Sequence, residues 1–129
     1  MIRMKHPIVV SFLVATSLAL SVTSAQSAVA GKRIAHLTAT TSNPFIAALA
    51  ETIQSESKKN GMTATVLSSP YDAALQSQQV SDVIAQGYDA LLIMPISERA
   101  IIPALTAAKN AKLPVFVVTA PIADGNDGL

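Results

Sequence analysis

Side chains able to do covalent or acid–base chemistry are few in this chain, and they are scattered. His36 stands in the middle of the run Ile34 to Thr40, which reads as a β-strand. A Ser-His-Asp hydrolase needs its imidazole at an exposed rim beside the nucleophile. The reading for His36 is therefore a buried or edge histidine whose ring nitrogens are satisfied by hydrogen bonds. Asp72, Glu98 and Asp124 belong to different segments, so no carboxylate pair is set for general acid and base work. Metal ligation has no constellation either. Thr38 to Pro44 contains no glycine, which argues against the phosphate cradle of Rossmann or P-loop proteins. No catalytic residue, metal or cofactor is expected. What the chain does offer is a neutral hydrogen-bonding run, Thr-Thr41-Ser42-Asn43, directly before Pro44-Phe45. Asparagine before a proline is good helix-starting chemistry, because the side chain caps the first turn and proline needs no hydrogen-bond partner at its first position. Asp72 and Ser97 also precede helical runs and read as caps.

The elements that carry these residues alternate regularly. Ile34 to Thr40, Thr63 to Leu67, Ala90 to Met94 and Val115 to Thr119 are short β-branched and apolar runs, of the kind buried on both faces of a sheet. Three helical patterns separate them. In the first, Ile46, Leu49, Ala50, Ile53 and Ser57 fall on one face, with Pro44 at its start and Gly61 past its end. The second runs over about residues 73–86, burying Val80, Val83 and Ile84 before Gly87. The third is expected from near Ser97 to near Ala111, presenting Ile101, Ile102, Leu105 and Ala108. Pro103 conflicts with that start, so a 3₁₀-like first turn or a kink is expected there.

The order β-α-β-α-β-α-β with short connections predicts an α/β fold: a doubly wound parallel sheet of four strands with three helices on its two faces. Ligands of such sheets sit beyond the carboxyl ends of the strands, where the strand order reverses. That rim comprises residues 39–45, 68–72, 95–98 and 119–121.

The first thirty residues differ from the rest. Arg3 and Lys5 precede an apolar stretch of 15 residues, Ile8 to Val22, and Ala28-Val29-Ala30 supplies small residues for a signal peptidase. A cleaved signal peptide over residues 1–30 is expected, and with it no stable membrane insertion, since a spanning helix needs about 20 apolar residues. Cleavage would leave residues 31–129, 99 residues, enough for one domain. They carry seven basic and eight acidic residues, a balance that does not favour nucleic acid or an anionic membrane. With no cysteine, neither a lipid anchor nor a disulfide is available, so the core alone must hold the fold.

Several segments in order carry a resemblance. They are the leader, the strand ending in Thr-Thr-Ser-Asn43-Pro44-Phe45, the helix ending in Lys-Asn-Gly61, the run Gly87-Tyr-Asp-Ala-Leu-Leu-Ile-Met-Pro95, and Ala111-Lys-Leu-Pro114-Val-Phe-Val-Val. Over residues 31–119 the chain resembles periplasmic substrate-binding proteins of the ribose and galactose type. The resemblance implies part of an amino-terminal lobe that holds a small, sugar-like ligand against a second lobe and delivers it to an ABC permease in the periplasm. It also implies roles. Asn43 matches a residue whose amide bonds sugar hydroxyls, Phe45 matches an aromatic that lies against the sugar ring, and Thr41, Ser42 and Thr119 complete the ligand-facing set. Three positions depart from the pattern. Ile46 replaces a frequent second aromatic, Ala39 a small polar residue, and Thr119-Ala120 an Asp-Arg pair, so a less polar ligand, or no retained ligand, fits as well.

Two other readings stay open: a small secreted flavodoxin-like enzyme with an unrecognised site, and a fragment without function of its own. In the resembled fold a further strand lies beside the fourth. Val115 to Val118 is therefore expected to form an apolar sheet edge that promotes self-association.

Overall fold

A computed structural model of the chain describes residues 29–119 together with Ile122. The predicted signal peptide lies almost wholly outside the described residues, as do Ala120 and Pro121 of the rim. Four strands, β1 (Arg33–Thr38), β2 (Thr63–Ser68), β3 (Ala90–Ile93) and β4 (Val115–Val117), alternate with α1 (Pro44–Lys59), α2 (Ala73–Ala85) and α3 (Ile102–Asn110). All pairings are parallel and the strand order is β2-β1-β3-β4. The expected doubly wound sheet is what forms.

Alternation along the strands divides the core between the two faces of the sheet. Ala35, Leu37, Leu91 and Ile93 pack with Val80 and Val83 of α2 and with Leu105 and Ala108 of α3, beside Ile101 and Leu113. Leu37, Leu91, Ile93 and Leu105 are essentially inaccessible, and each such side chain contributes about 1.5–3 kcal/mol on leaving water. A smaller cluster, Ala39, Ile46 and Met94 with Leu49, Ile96 and Val118, forms at the carboxyl end of the strands beside α1.

His36 belongs to the central strand, paired across to Val66 and Leu92, and is fully buried. It is a core histidine, not an edge one. The expected satisfaction of the ring is not met, because strand neighbours surround it with apolar side chains and neither ring nitrogen has a hydrogen-bond partner. Burial pushes its pKa below the ordinary value, and the nearby Leu92 backbone, which lies outside hydrogen-bonding geometry, opposes this only in part.

Three boundaries differ from the sequence expectation. β1 stops at Thr38 instead of Thr40, because the Thr40 hydroxyl accepts from Ser42 N–H (3.1 Å) and this local turn competes with the ladder. β4 stops at Val117, two residues before Thr119. The third helix begins at Ile102 and not near Ser97. Pro103 then falls in the first turn, where a missing N–H does no harm, and no kink is needed. Ser97 closes the preceding turn instead, its carbonyl accepting from Ile101 N–H and its hydroxyl from Ala100 N–H. Asp72 does cap α2, receiving Ala74 N–H and Leu75 N–H at 2.9 Å each.

The amino-terminal end of the sheet is fastened separately. The Asp89 carboxylate accepts from Lys32 Nζ (2.7 Å) and Arg33 N–H (2.8 Å), and these two contacts hold its pKa below the usual carboxylate range. The Arg33 guanidinium donates to Gln86 O (3.0 Å) and lies 4.2 Å from the Tyr88 ring centre. This cluster sits at the end of the sheet remote from the candidate site.

Candidate functional site

The strand order reverses between β1 and β3. β1 leads through α1 to β2 on one side, and β3 leads through α3 to β4 on the other. A crevice opens at such a point because neighbouring connections leave over opposite faces. Residues 39–45 come from the β1 exit and Met94-Pro95-Ile96 from the β3 exit.

Each exit is held by specific bonds. Leu37 O accepts from Met94 N–H (2.9 Å), joining the two exits, and Ile93 O accepts from Val118 N–H (2.9 Å), joining β3 to β4. Thr38 O accepts from Ser69 N–H (3.0 Å), and Ala39 O from Tyr71 N–H (3.4 Å), which lace the β2 exit to the β1 exit. Behind the β3 exit Gln76 of α2 is completely buried. Its Nε2 donates to Met94 O (2.8 Å) and its Oε1 accepts from Ile96 N–H (3.0 Å), so one side chain satisfies both sides of the β3 exit. Sequence reasoning missed Gln76, although a glutamine in line with Val80 and Val83 on an apolar helix face was a visible signal.

Of the sequence-derived candidates, Thr41, Ser42, Asn43 and Phe45 come together on one exposed segment. Asn43 has extended backbone geometry, and its Oδ1 accepts from Phe45 N–H (2.9 Å) and Ile46 N–H (3.4 Å), making it the N-cap of α1. Phe45 is 67% exposed, so it is no core residue. Thr119 follows β4 and is exposed with a left-handed backbone, φ 71°. Two strand spacings, about 10 Å, separate the exits of β1 and β4. The structure therefore groups four of the five candidates and sets Thr119 across the β3 exit from them.

The rim carries two acidic side chains, Asp72 and the exposed Glu98, and no basic one. Asp72 is committed to capping α2, and among the described residues no group of three His, Cys, Asp or Glu side chains could hold a metal ion. No described helix is long and apolar enough to cross a membrane. Within residues 41–45 the groups on offer are hydroxyls, an amide and an aromatic face, which suits recognition of a neutral, hydrogen-bonding ligand. A shallow groove of about 460 Å³ lies elsewhere, between α2 and α3, lined mostly by alanines and serines with Gln78 and Pro103.

Comparison with known proteins gives a consistent result. Residues 34–128 match the family model described as a periplasmic binding protein domain. The chain is 38% identical over 79 residues to the ribose import binding protein of Bacillus subtilis, covering 61% of this chain and 26% of that protein. It is 34% identical over 103 residues to the ribose import binding protein of Salmonella typhimurium, covering 80% and 35%. Among solved structures, the binding component of an arabinose ABC transporter from Shewanella, bound to L-arabinofuranose, superposes with a TM-score of 0.70 at 27% identity, covering 75% of this chain and 32% of that one. The chain spans about a quarter to a third of the length of these relatives. Parallel strand order, the reversal between β1 and β3, and a match over most of the sequence agree: this chain belongs to the periplasmic binding protein domain family.

Proposed function

We propose that this chain forms the ligand-facing part of the amino-terminal lobe of a solute-binding protein that captures a sugar-like molecule for an ABC permease. Thr41, Ser42, Asn43, Phe45 and Thr119 contact the ligand, and the protein acts by binding, without catalysing a reaction. Residues 1–30 serve as an export signal, cleaved after Ala30, that delivers residues 31–129 to the periplasm. Gly31 N–H bonds to Gly61 O (2.8 Å) and β1 starts at Arg33, so cleavage there leaves the sheet intact.

One observation carries the reading. Asn43 commits Oδ1 to the α1 cap, which fixes the amide plane, and leaves Nδ2 as a donor at an exposed rim two residues from an exposed Phe45. Capping and recognition are then two uses of one side chain. An oriented N–H donor beside an aromatic face matches a sugar, whose hydroxyls accept hydrogen bonds and whose C–H face is apolar. The ribose-named and arabinose-named relatives support pentoses as the first class to try.

The test follows thermal unfolding of the purified protein with D-ribose, L-arabinose and D-galactose, for wild type and Asn43→Asp. Aspartate caps as well as asparagine does, so stability without sugar should change by only a few tenths of a kcal/mol. It lacks the Nδ2 donor, so the rise in melting temperature should fall to the general stabilisation that any polyol gives. An undiminished rise in Asn43→Asp, or no rise with any sugar in wild type, would refute the reading.

A further inference from the structure

Among the described residues, three non-glycine positions hold a left-handed backbone: Tyr71 (φ 51°), Lys112 (φ 58°) and Thr119 (φ 71°). Lys112 has a local cause. It follows the C-cap of α3, where Lys112 N–H bonds to Lys109 O and Leu113 N–H to Ala108 O, and Gly61 and Gly87 fill the equivalent place after α1 and α2. Thr119 is already among the proposed ligand contacts. Tyr71 has neither explanation.

Tyr71 is the third residue of a turn closed by Asp72 N–H to Ser69 O (3.1 Å), with Pro70 before it. Proline second and a positive φ third is the type II pattern, whose third position favours glycine because a Cβ there is strained. A bulky residue in that place is a true outlier. Burial does not compensate, since the Tyr71 side chain is 70% exposed, the most exposed large apolar side chain among the described residues. Its backbone nonetheless is bonded to Ala39 O, four residues before Asn43, at the carboxyl rim. Phe45, nearly as exposed, stands at the same rim. Strained, exposed aromatics that no fold requirement explains gather where a ligand is gripped.

We propose that Tyr71 is a further ligand-contacting residue, which with Phe45 forms an aromatic rim for a ring-shaped polyhydroxylated ligand, the phenol ring covering a C–H face and the hydroxyl bonding a sugar hydroxyl. The proposal rests on the sugar-binding reading above. It adds a preference for cyclic sugars over open polyols of similar polarity, because only a ring offers a flat apolar face.

The chain has two tyrosines and no tryptophan, so its near-ultraviolet emission comes from Tyr71 and Tyr88. Tyr88→Phe keeps a ring under Arg33 and leaves Tyr71 as the sole reporter. In that variant D-ribose should change tyrosine emission saturably, while glycerol at equal concentration should not. Tyr71→Gly, which relieves the turn and so folds readily, should melt higher than wild type yet bind D-ribose about three- to tenfold more weakly. Tyr71→Phe should fall between the two. Equal affinity in wild type and Tyr71→Gly, with binding still abolished by Asn43→Asp, would overturn the Tyr71 proposal and leave the sugar-binding reading standing. Absence of binding in wild type to D-ribose, L-arabinose and D-galactose alike would overturn both.

Discussion

Replacing Gln76 with leucine should damage this fold more than any exposed change, and the structure supplies the magnitude. Gln76 is fully buried between α2 and the β3 exit, and its amide bridges Met94 O and Ile96 N–H at 2.8 and 3.0 Å. Each bond contributes about 0.5–1.5 kcal/mol net, but the substitution also strands a buried carbonyl and a partly buried N–H, at about 1–3 kcal/mol each. Leucine returns some apolar burial, so a loss of about 2–4 kcal/mol is expected, a large fraction of the 5–15 kcal/mol typical of a domain. Gln76→Glu is the sharper partner. It keeps the acceptor for Ile96 N–H and turns the donor facing Met94 O into a second acceptor, so it should cost at least as much near neutral pH and recover as pH falls and the carboxyl protonates. Urea unfolding gives the free energies, and amide exchange at Ile96 tests the locality. A loss under 0.5 kcal/mol for Gln76→Leu, with Ile96 still protected, would show that the exit loop holds itself and that the bridge is incidental.

His36 supplies a pH dependence. Its folded pKa is below the ordinary 6.5 because the ring is buried, so above pH 6.5 both states are neutral and pH has no effect through this group. Below 6.5 the unfolded chain takes up the proton first, and stability falls, by at most about 1.4 kcal/mol per pH unit. The urea midpoint should thus drop between pH 7.5 and 5.5 in wild type and hardly move in His36→Leu; equal slopes would exclude His36 as the cause. The β4 edge supplies an association prediction. Phe116 is 57% and Val117 37% exposed on a strand that pairs only with β3 among the described residues, so sedimentation should detect concentration-dependent oligomers. Phe116→Lys should shift them towards monomer, and a wild type that is monomeric at all concentrations would contradict the edge argument.

Hydrophobic period carried most of the fold into view. Apolar runs at β-strand length and the i, i+3, i+4 spacing of Ile46, Leu49 and Ala50 identify every element in order, and Pro44, Gly61 and Gly87 mark their ends. Period says nothing about lateral neighbours. That β1 lies between β2 and β3, and so that the crevice opens at the β1 and β3 exits, comes from packing of α1 and α2 on opposite faces. At the site, Asn43 was readable because capping has a local signature, whereas the apolar helix face could mark Gln76 as buried but not name its partner, a carbonyl 18 residues away. Tyr71 was hidden for another reason. Ser69-Pro70 announces a turn, but turn type depends on whether the next residue accepts a left-handed backbone, and tyrosine intrinsically refuses it.

The proposed dual use of Asn43, as cap and as ligand donor, would tie fold and binding together in a way that sets the conditions of any assay. A ligand held by Nδ2 strengthens the arrangement that also caps α1, so binding raises stability by mass action alone, about 2.7 kcal/mol at a concentration one hundred times Kd. One lobe touches one side of a ligand. If a two-lobed receptor binds at about 1 μM, near −8 kcal/mol, and each lobe contributes half, this lobe alone retains about −4 kcal/mol, a millimolar Kd. A detectable shift then requires sugar at tens to hundreds of millimolar, where any polyol stabilises proteins by exclusion from their surface. Wild type and Asn43→Asp must therefore be compared at each sugar concentration. Exclusion raises both melting curves together, and only recognition through the amide separates them.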